Sequence, residues 1–222
     1  MHIGVIPARA GSTRIPGKNR EEISGIPLWR IAVIKSMNTL ARTIINTDDP
    51  LIYPSFCERF ERDKELSGNS VRIDDVLLNM VASLQLLSED VIHLIQPTSP
   101  FMSSETILRG VEAFECFDID SSQSVVEVSN SYHAYSQRII KNDLVNFVFP
   151  ELREQHFNSQ SKPKHYAFAG YVACKVGSLR KYGNIWGKKS FPIQVSNIEA
   201  IDIDTKEDLE HARLIAASGI KI

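Results

Sequence analysis

The first twenty residues restrict the architecture more than any other stretch. His2 to Ile6 form a short apolar run of strand length, and a loop rich in Gly, Ser and cations follows from Pro7 to Arg20. A buried strand that feeds a glycine-containing loop is how α/β proteins bring backbone amides and fixed cations to phosphate groups. Gly11 and Gly17 permit close approach of a ligand to the backbone. Arg9, Arg14 and Lys18 supply charge that matches a triphosphate. No acidic residue precedes Glu21, whereas a solvated charged face normally mixes signs. The spacing excludes two phosphate-binding fingerprints: neither G-x-x-x-x-G-K-[ST] nor G-x-G-x-x-G can be read here.

The same unit, strand then loop then helix, recurs along the chain. Pro27 to Leu40 has helical spacing of apolar residues, with Pro27 suited to a first turn. Arg42 to Asn46 reads as a strand closed by the turn Thr47-Asp48-Asp49-Pro50. Leu51 to Leu66 is short for a helix plus a strand, and Pro54 interrupts it, so a trimmed crossover is expected there. Ile73 to Leu87 predicts a helix and Val91 to Ile95 a buried strand ending in Gln96-Pro97-Thr98-Ser99-Pro100. Ser103 or Ser104 caps a helix to about Phe117, and Ser124 to Val128 reads as a strand. Arg138 to Lys141 and Leu144 to Phe149 flank Asn142-Asp143, a hairpin signal. Ala169 to Lys175 and Phe191 to Val195 read as strands. Thr205 with Asp208 forms a capping-box variant ahead of a last helix. The pattern predicts a three-layer α/β/α sandwich around a mostly parallel, Rossmann-like sheet.

The chain has 222 residues, enough for one domain with a sizeable core. Its net charge of -2 gives no reason to expect nucleic acid or an acidic membrane, so the cations that matter are local ones. Three cysteines with no C-x-x-C fit a reducing compartment, and the short N-terminal apolar run is no signal peptide; a cytoplasmic protein is the expectation. None of the six histidines forms an H-x-x-x-H pair.

Asp202 and Asp204 flank one isoleucine, so in an extended segment their carboxylates share a face. Two such carboxylates repel unless a cation lies between them, and Mg2+ takes a few carboxylates together with phosphate oxygens. The alternative is a solvated turn in which Asp204 assists the helix N-terminus.

Three stretches carry a resemblance. Ile6-Pro7-Ala8-Arg9-Ala10-Gly11-Ser12-Thr13-Arg14-Ile15-Pro16-Gly17-Lys18-Asn19, Leu94-Ile95-Gln96-Pro97-Thr98-Ser99-Pro100 and Ile201-Asp202-Ile203-Asp204-Thr205-Lys206-Glu207-Asp208-Leu209 resemble, in order, the motifs of the sugar-acid cytidylyltransferases. These are the CMP-sialic acid (acylneuraminate) synthetases and their CMP-Kdo relatives. The resemblance implies a nucleotide-diphospho-sugar transferase type of fold. It also implies a homodimer formed through an excursion at about residues 133–165, for which a plain surface loop is the alternative. The implied reaction couples CTP to a sugar acid with Mg2+, releasing pyrophosphate.

By resemblance, Ala8, Arg9, Gly11, Ser12, Arg14, Lys18 and Asn19 would bind nucleotide, with Lys18 on the α-phosphate and Arg9 and Arg14 on the β- and γ-phosphates. Lys18, Arg9, Asp202 and Asp204 would be catalytic, the two aspartates as metal ligands. Arg62, in a stretch like the family's Arg-Pro-x-Glu-Leu, is either the donor to cytosine or a surface arginine among alternating charges. Gln96, Thr98, Ser99, Gln160 and Gly170 would face the acceptor. The chain departs from the nonulosonate pattern where Ser159, Ala167 and Ala169 replace arginine and asparagine positions, and where Asn69-Ser70 follows Leu-Ser-Gly. A carboxylate is most often gripped by arginine, so these departures point to a changed acceptor: Kdo, a pseudaminic or legionaminic acid, or a phosphonate. The reading from another class is a nucleotide-binding protein without turnover.

Overall fold

In the computed structural model, which describes residues Met1–Ile222, the N-terminal apolar run is a strand, β1 (His2–Pro7). A small hairpin of β2 (Glu22–Ile23) and β3 (Ile26–Pro27) leads into α1 (Leu28–Met37), followed by β4 (Arg42–Thr47) and β5 (Glu58–Glu61). α2 (Ile73–Ser83) precedes β6 (Val91–Ile95), and α3 (Ser104–Cys116) precedes β7 (Ser121–Glu127). An excursion follows: β8 (Arg138–Lys141), β9 (Leu144–Phe147) and α4 (Pro150–Gln155). The chain returns through β10 (Tyr166–Lys175), α5 (Val176–Tyr182), β11 (Ser190–Gln194) and α6 (Lys206–Ala217). No helix is long and apolar enough to cross a membrane.

The central sheet has the order β11-β7-β10-β6-β1-β4-β5. Every neighbouring pair is parallel except those of β10, which runs against both β6 and β7. Alternate residues of the inner strands face opposite layers. Ile3, Val5, Ile92 and Leu94 pack on α2 and α5, while Ile6, Val91, Ile95 and Tyr171 pack on α1 and α3. A third cluster, including Leu28, Ile31, Ile203 and Leu209, seats α6 beside α1. This is the expected three-layer sandwich.

Several boundaries move for identifiable reasons. α1 starts at Leu28, because Pro27 is extended and pairs in the small hairpin. α2 stops at Ser83, and Gln85 then takes a left-handed φ of 52°. The crossover between β4 and β5 carries no helix; Ile52 reaches the core and Phe56 stacks on Trp29 of α1 in its place. β7 begins three residues before the expected Ser124, and its serines Ser121, Ser122 and Ser124 are fully buried. Ser121 donates to the Trp186 carbonyl at 2.6 Å, and the Ser124 hydroxyl accepts from Tyr171 N–H at 3.0 Å.

The hairpin at Asn142-Asp143 forms as expected, both residues having positive φ (52° and 60°), as a type I′ turn demands. It leaves Ile139, Ile140, Leu144 and Val145 all exposed. A two-stranded hairpin is marginal in water by itself.

Candidate active site

The loops after β1, β4 and β6 and the segment before α6 converge at the carboxyl edge of the sheet. The β1 loop is fastened to the β4 loop. Ala8 N–H donates to the Asn46 carbonyl at 2.9 Å, the Thr47 hydroxyl to the Ala8 carbonyl at 2.5 Å, and Ala10 N–H to Asp48 Oδ1 at 2.8 Å. Asn19, nearly buried, reaches back to the Arg9 carbonyl at 3.0 Å. Gly17 takes φ 70°, a left-handed conformation that glycine enters without a Cβ penalty, and starts the short 3-10 turn that carries Lys18.

Lys18 spans the cleft. Its Nζ donates to the Ile203 carbonyl at 2.7 Å and to Asp204 at 3.1 Å. Arg14 Nη1 meets the other oxygen of Asp204 at 2.8 Å. These charges, Lys18 foremost, hold the Asp204 carboxyl below the usual carboxylate range. Asp204 does not cap α6; Thr205 does, its hydroxyl accepting from Asp208 N–H at 3.2 Å while the Asp208 carboxylate accepts from the N–H groups of Asp204 and Thr205. Asp202 behaves oppositely. Loss of hydration raises its pKa, Asp204 adds to the rise, and Thr98 and Lys18 oppose it.

The Gln96 loop and the aspartate segment are held together. Ile203 N–H donates to the Thr98 carbonyl at 2.8 Å. Behind the loop, the buried Lys35 ammonium donates to the Pro100 carbonyl, and burial pushes its pKa down to about 8. Glu199 Oε1 accepts from Ser103 N–H and the Thr106 hydroxyl at the start of α3, where a helix N-terminus favours negative charge.

Between these parts lies a cleft of about 320 Å³. Arg9, Ser12, Lys18, Asn19 and Arg62 line it, together with Gln96, Thr98, Asp202 and Asp204. Arg14 lies in an adjoining depression that shares Arg9, Ser12, Lys18 and Asp204. Arg62 is no surface residue: it is 6% exposed. Ala8 is buried and contributes backbone only, while Gly11 is exposed with open space around it. Ser99 and Gly170 lie behind the cleft wall, against each other. Gly170 has φ 88°, and a Cβ there would stand 2.0 Å from Ser99 Oγ, so the position requires glycine at the irregularity in β10. Gln160 lies elsewhere, in a polar groove beside His133, Lys162 and His165. Asn46, Asp48 and Asn69, which accepts from Arg9 at 2.8 Å, also shape the site. Asn46 and Asp48 are marked in the sequence only by a place in or next to a turn, and Asn69 only by its departure from the nonulosonate pattern.

The donor set suits Mg2+. Asp202 and Asp204 line one cleft, a nearby cation would relieve the raised Asp202, and no histidine, cysteine or third carboxylate joins them, so phosphate oxygens would complete the shell.

A family model described as cytidylyltransferase matches residues 3–222. The chain is 26% identical to a CMP-N,N'-diacetyllegionaminic acid synthase of Legionella pneumophila, over 93% of this chain and 92% of that one. It is 26% identical to a pseudaminic acid cytidylyltransferase of Campylobacter jejuni, over 95% and 94%. Its fold is like that of a CMP:2-keto-3-deoxy-manno-octonic acid synthetase solved with CTP, with a TM-score of 0.72 and 15% identity over 98% of this chain and 99% of that one.

Proposed function

The chain belongs to the cytidylyltransferase family, and from that premise we propose that it couples CTP to a sugar acid, a nonulosonate or Kdo-like compound, with Mg2+. The observation that carries this reading is one cleft lined by Arg9, Lys18 and Arg62 together with Asp202 and Asp204. A hydroxyl of the acceptor attacks the α-phosphorus of CTP; the bond to the β-phosphate oxygen breaks, and pyrophosphate leaves.

Positioning and charge neutralisation carry such a step. Lys18 meets the charge that grows on the α-phosphate, and Arg9 and Arg14 hold the β- and γ-phosphates. Asp204 gives up its bonds to Arg14 and Lys18 as the triphosphate takes them. Asp202 and Asp204 would hold Mg2+, which supplies neutralisation of phosphate charge and a lowered pKa for the attacking hydroxyl. Arg62 offers donors to the O2 and N3 edge of cytosine, and Gln96 and Thr98 orient the acceptor.

The acceptor differs from N-acetylneuraminate in this reading, because Ser159, Ala167 and Ala169 offer no cation to a carboxylate. Residues 1–222 act as one catalytic domain in the cytoplasm, paired as a homodimer through the excursion at about 133–165. The test is pyrophosphate release from CTP and Mg2+ across N-acetylneuraminate, legionaminic, pseudaminic, Kdo and phosphonate acceptors. Release with legionaminic acid, pseudaminic acid or Kdo supports the reading, and release with the phosphonate alone favours a cytidylyltransferase for another class of acceptor. Efficient release with N-acetylneuraminate contradicts the changed acceptor, and silence with all of them while CTP binds favours a nucleotide-binding protein without turnover.

A further inference from the structure

Arg62 is unusual for a guanidinium. It is 6% exposed, yet no carboxylate lies within ion-pair distance. Burial pulls its pKa down to about 10; Asp48 opposes the shift and Arg9 adds to it. A buried cation without a counter-ion is costly unless hydrogen bonds or a ligand satisfy it.

One residue holds it. Arg62 Nε donates to Asn46 Oδ1 at 2.6 Å, and Nη2 to the Asn46 carbonyl at 3.3 Å. Asn46 cannot drift, because it is 1% exposed and its backbone sits in β4 between Pro7 of β1 and Phe60 of β5. Its Nδ2 is buried with no partner. Buried amide donors are nearly always satisfied, so an asparagine kept here with an orphan donor calls for an explanation. An apolar side chain of equal volume would fill the space without that cost. What it would not do is accept from Arg62.

We infer that Asn46 is a positioning residue for nucleobase selection: it turns Arg62 Nε inward and so presents the remaining guanidinium N–H groups to the cleft as a fixed edge of donors. A guanidinium has five donors and no acceptor. Cytosine offers O2 and N3 as adjacent acceptors, whereas uracil carries a hydrogen on N3. A fixed edge of donors therefore pairs with cytosine and opposes the uracil N3–H, and a site built on hydrogen bonds rejects the mismatched analogue by leaving its own donors unpaired. The inference rests on Arg62 facing the base, as proposed above.

The experiment is calorimetric binding of CTP and of UTP, with Mg2+ and without acceptor, to the native chain, Asn46→Leu and Asn46→Asp, with the melting temperature of each. The native chain is expected to prefer CTP by about tenfold or more, and Asn46→Leu to reduce that preference to within roughly threefold, the change coming from CTP. Asn46→Asp keeps an oxygen acceptor for Nε and is expected to keep the preference. A folded Asn46→Leu that weakens both nucleotides equally, or keeps the native ratio, would reduce Asn46 to packing and overturn the inference. If Asn46→Leu does not fold, a folded Asn46→Asp that has lost the preference overturns it as well. A native chain without preference between CTP and UTP removes the reading of Arg62 itself, a different failure from either.

Discussion

Lys18 is placed before any ligand arrives. Its side chain is 13% exposed, and its ammonium is already fixed to the Ile203 carbonyl beside Asp202 and Asp204. Arg14, by contrast, is 65% exposed where it meets Asp204, and a pair of that kind adds little in water. Lys18→Ala should therefore lower kcat by roughly 10²–10³ while KM for CTP changes little, the pattern of a contact strongest in the transition state. Initial rates over a CTP series check it, and a pure KM effect would demote Lys18 to ground-state binding. For Asp202, the expected outcome of Asp202→Ala is loss of Mg2+-dependent turnover, read from a magnesium titration; rates near native would sink the metal assignment. At this scale the residues that meet in the cleft are legible as a cation-bearing loop and a pair of alternate aspartates. Arg62 is ambiguous in sequence because only its burial separates it from a surface arginine, and Asn46 carries no signal, because its hydrogen bonds to Arg62 leave no trace in a linear pattern.

The sheet elements carry a second kind of prediction. The buried His93 of β6 links two neighbours in a chain of hydrogen bonds. His93 Nδ1 and the Tyr171 hydroxyl share a hydrogen bond of 2.7 Å, and His93 Nε2 shares another of 2.7 Å with His2 Nδ1. Burial, with His2 adding to it, pushes the His93 pKa down from 6.5 to about 3. The folded state therefore refuses a proton that the unfolded chain takes below pH 6.5. Stability is full above that pH and is lost as pH falls towards 3, by about 5 kcal/mol over the whole window. Urea unfolding from pH 7 to 3.5 should show a shallower acid slope in His93→Gln than in the native chain; equal slopes would place the titration elsewhere. Elements with long apolar periodicity, such as β6 and α3, were legible within a residue or two. The start of β7 is hidden because Ser121 and Ser122 look exposed in sequence, whereas Ser121 is buried and bonded to the Trp186 carbonyl and the Ser190 hydroxyl. The β4–β5 crossover reads as trimmed in the sequence, but its edge strand Glu58–Glu61 is too polar to announce itself.

For the molecule as a whole, the excursion after β7 is the part that its own fold does not explain. Ile140 and Val145 face each other across the hairpin at 76% and 65% exposure, with Ile139 and Leu144 at 52% and 68% on the other face. Only Phe147 is covered locally, by Arg138 and Arg153. An exposed apolar patch on a marginal hairpin is what an interface between copies requires, and a two-fold axis would let the same patch serve both protomers. Full burial of each such side chain contributes roughly 1.5–3 kcal/mol, so two lost from each protomer outweigh most of what a modest interface supplies. Native protein at micromolar concentration should sediment as a dimer, and the double variant Ile140→Asp, Val145→Asp as a folded monomer with the native circular dichroism. The cleft that holds Lys18 and Asp202 is lined by the loops after β1, β5 and β6, the start of α2 and the segment before α6, with no residue of the hairpin, so nucleotide binding should survive in the monomer. A native chain that sediments as a monomer would remove the interface. A monomeric variant that has also lost CTP binding would instead show that the partner completes the nucleotide site.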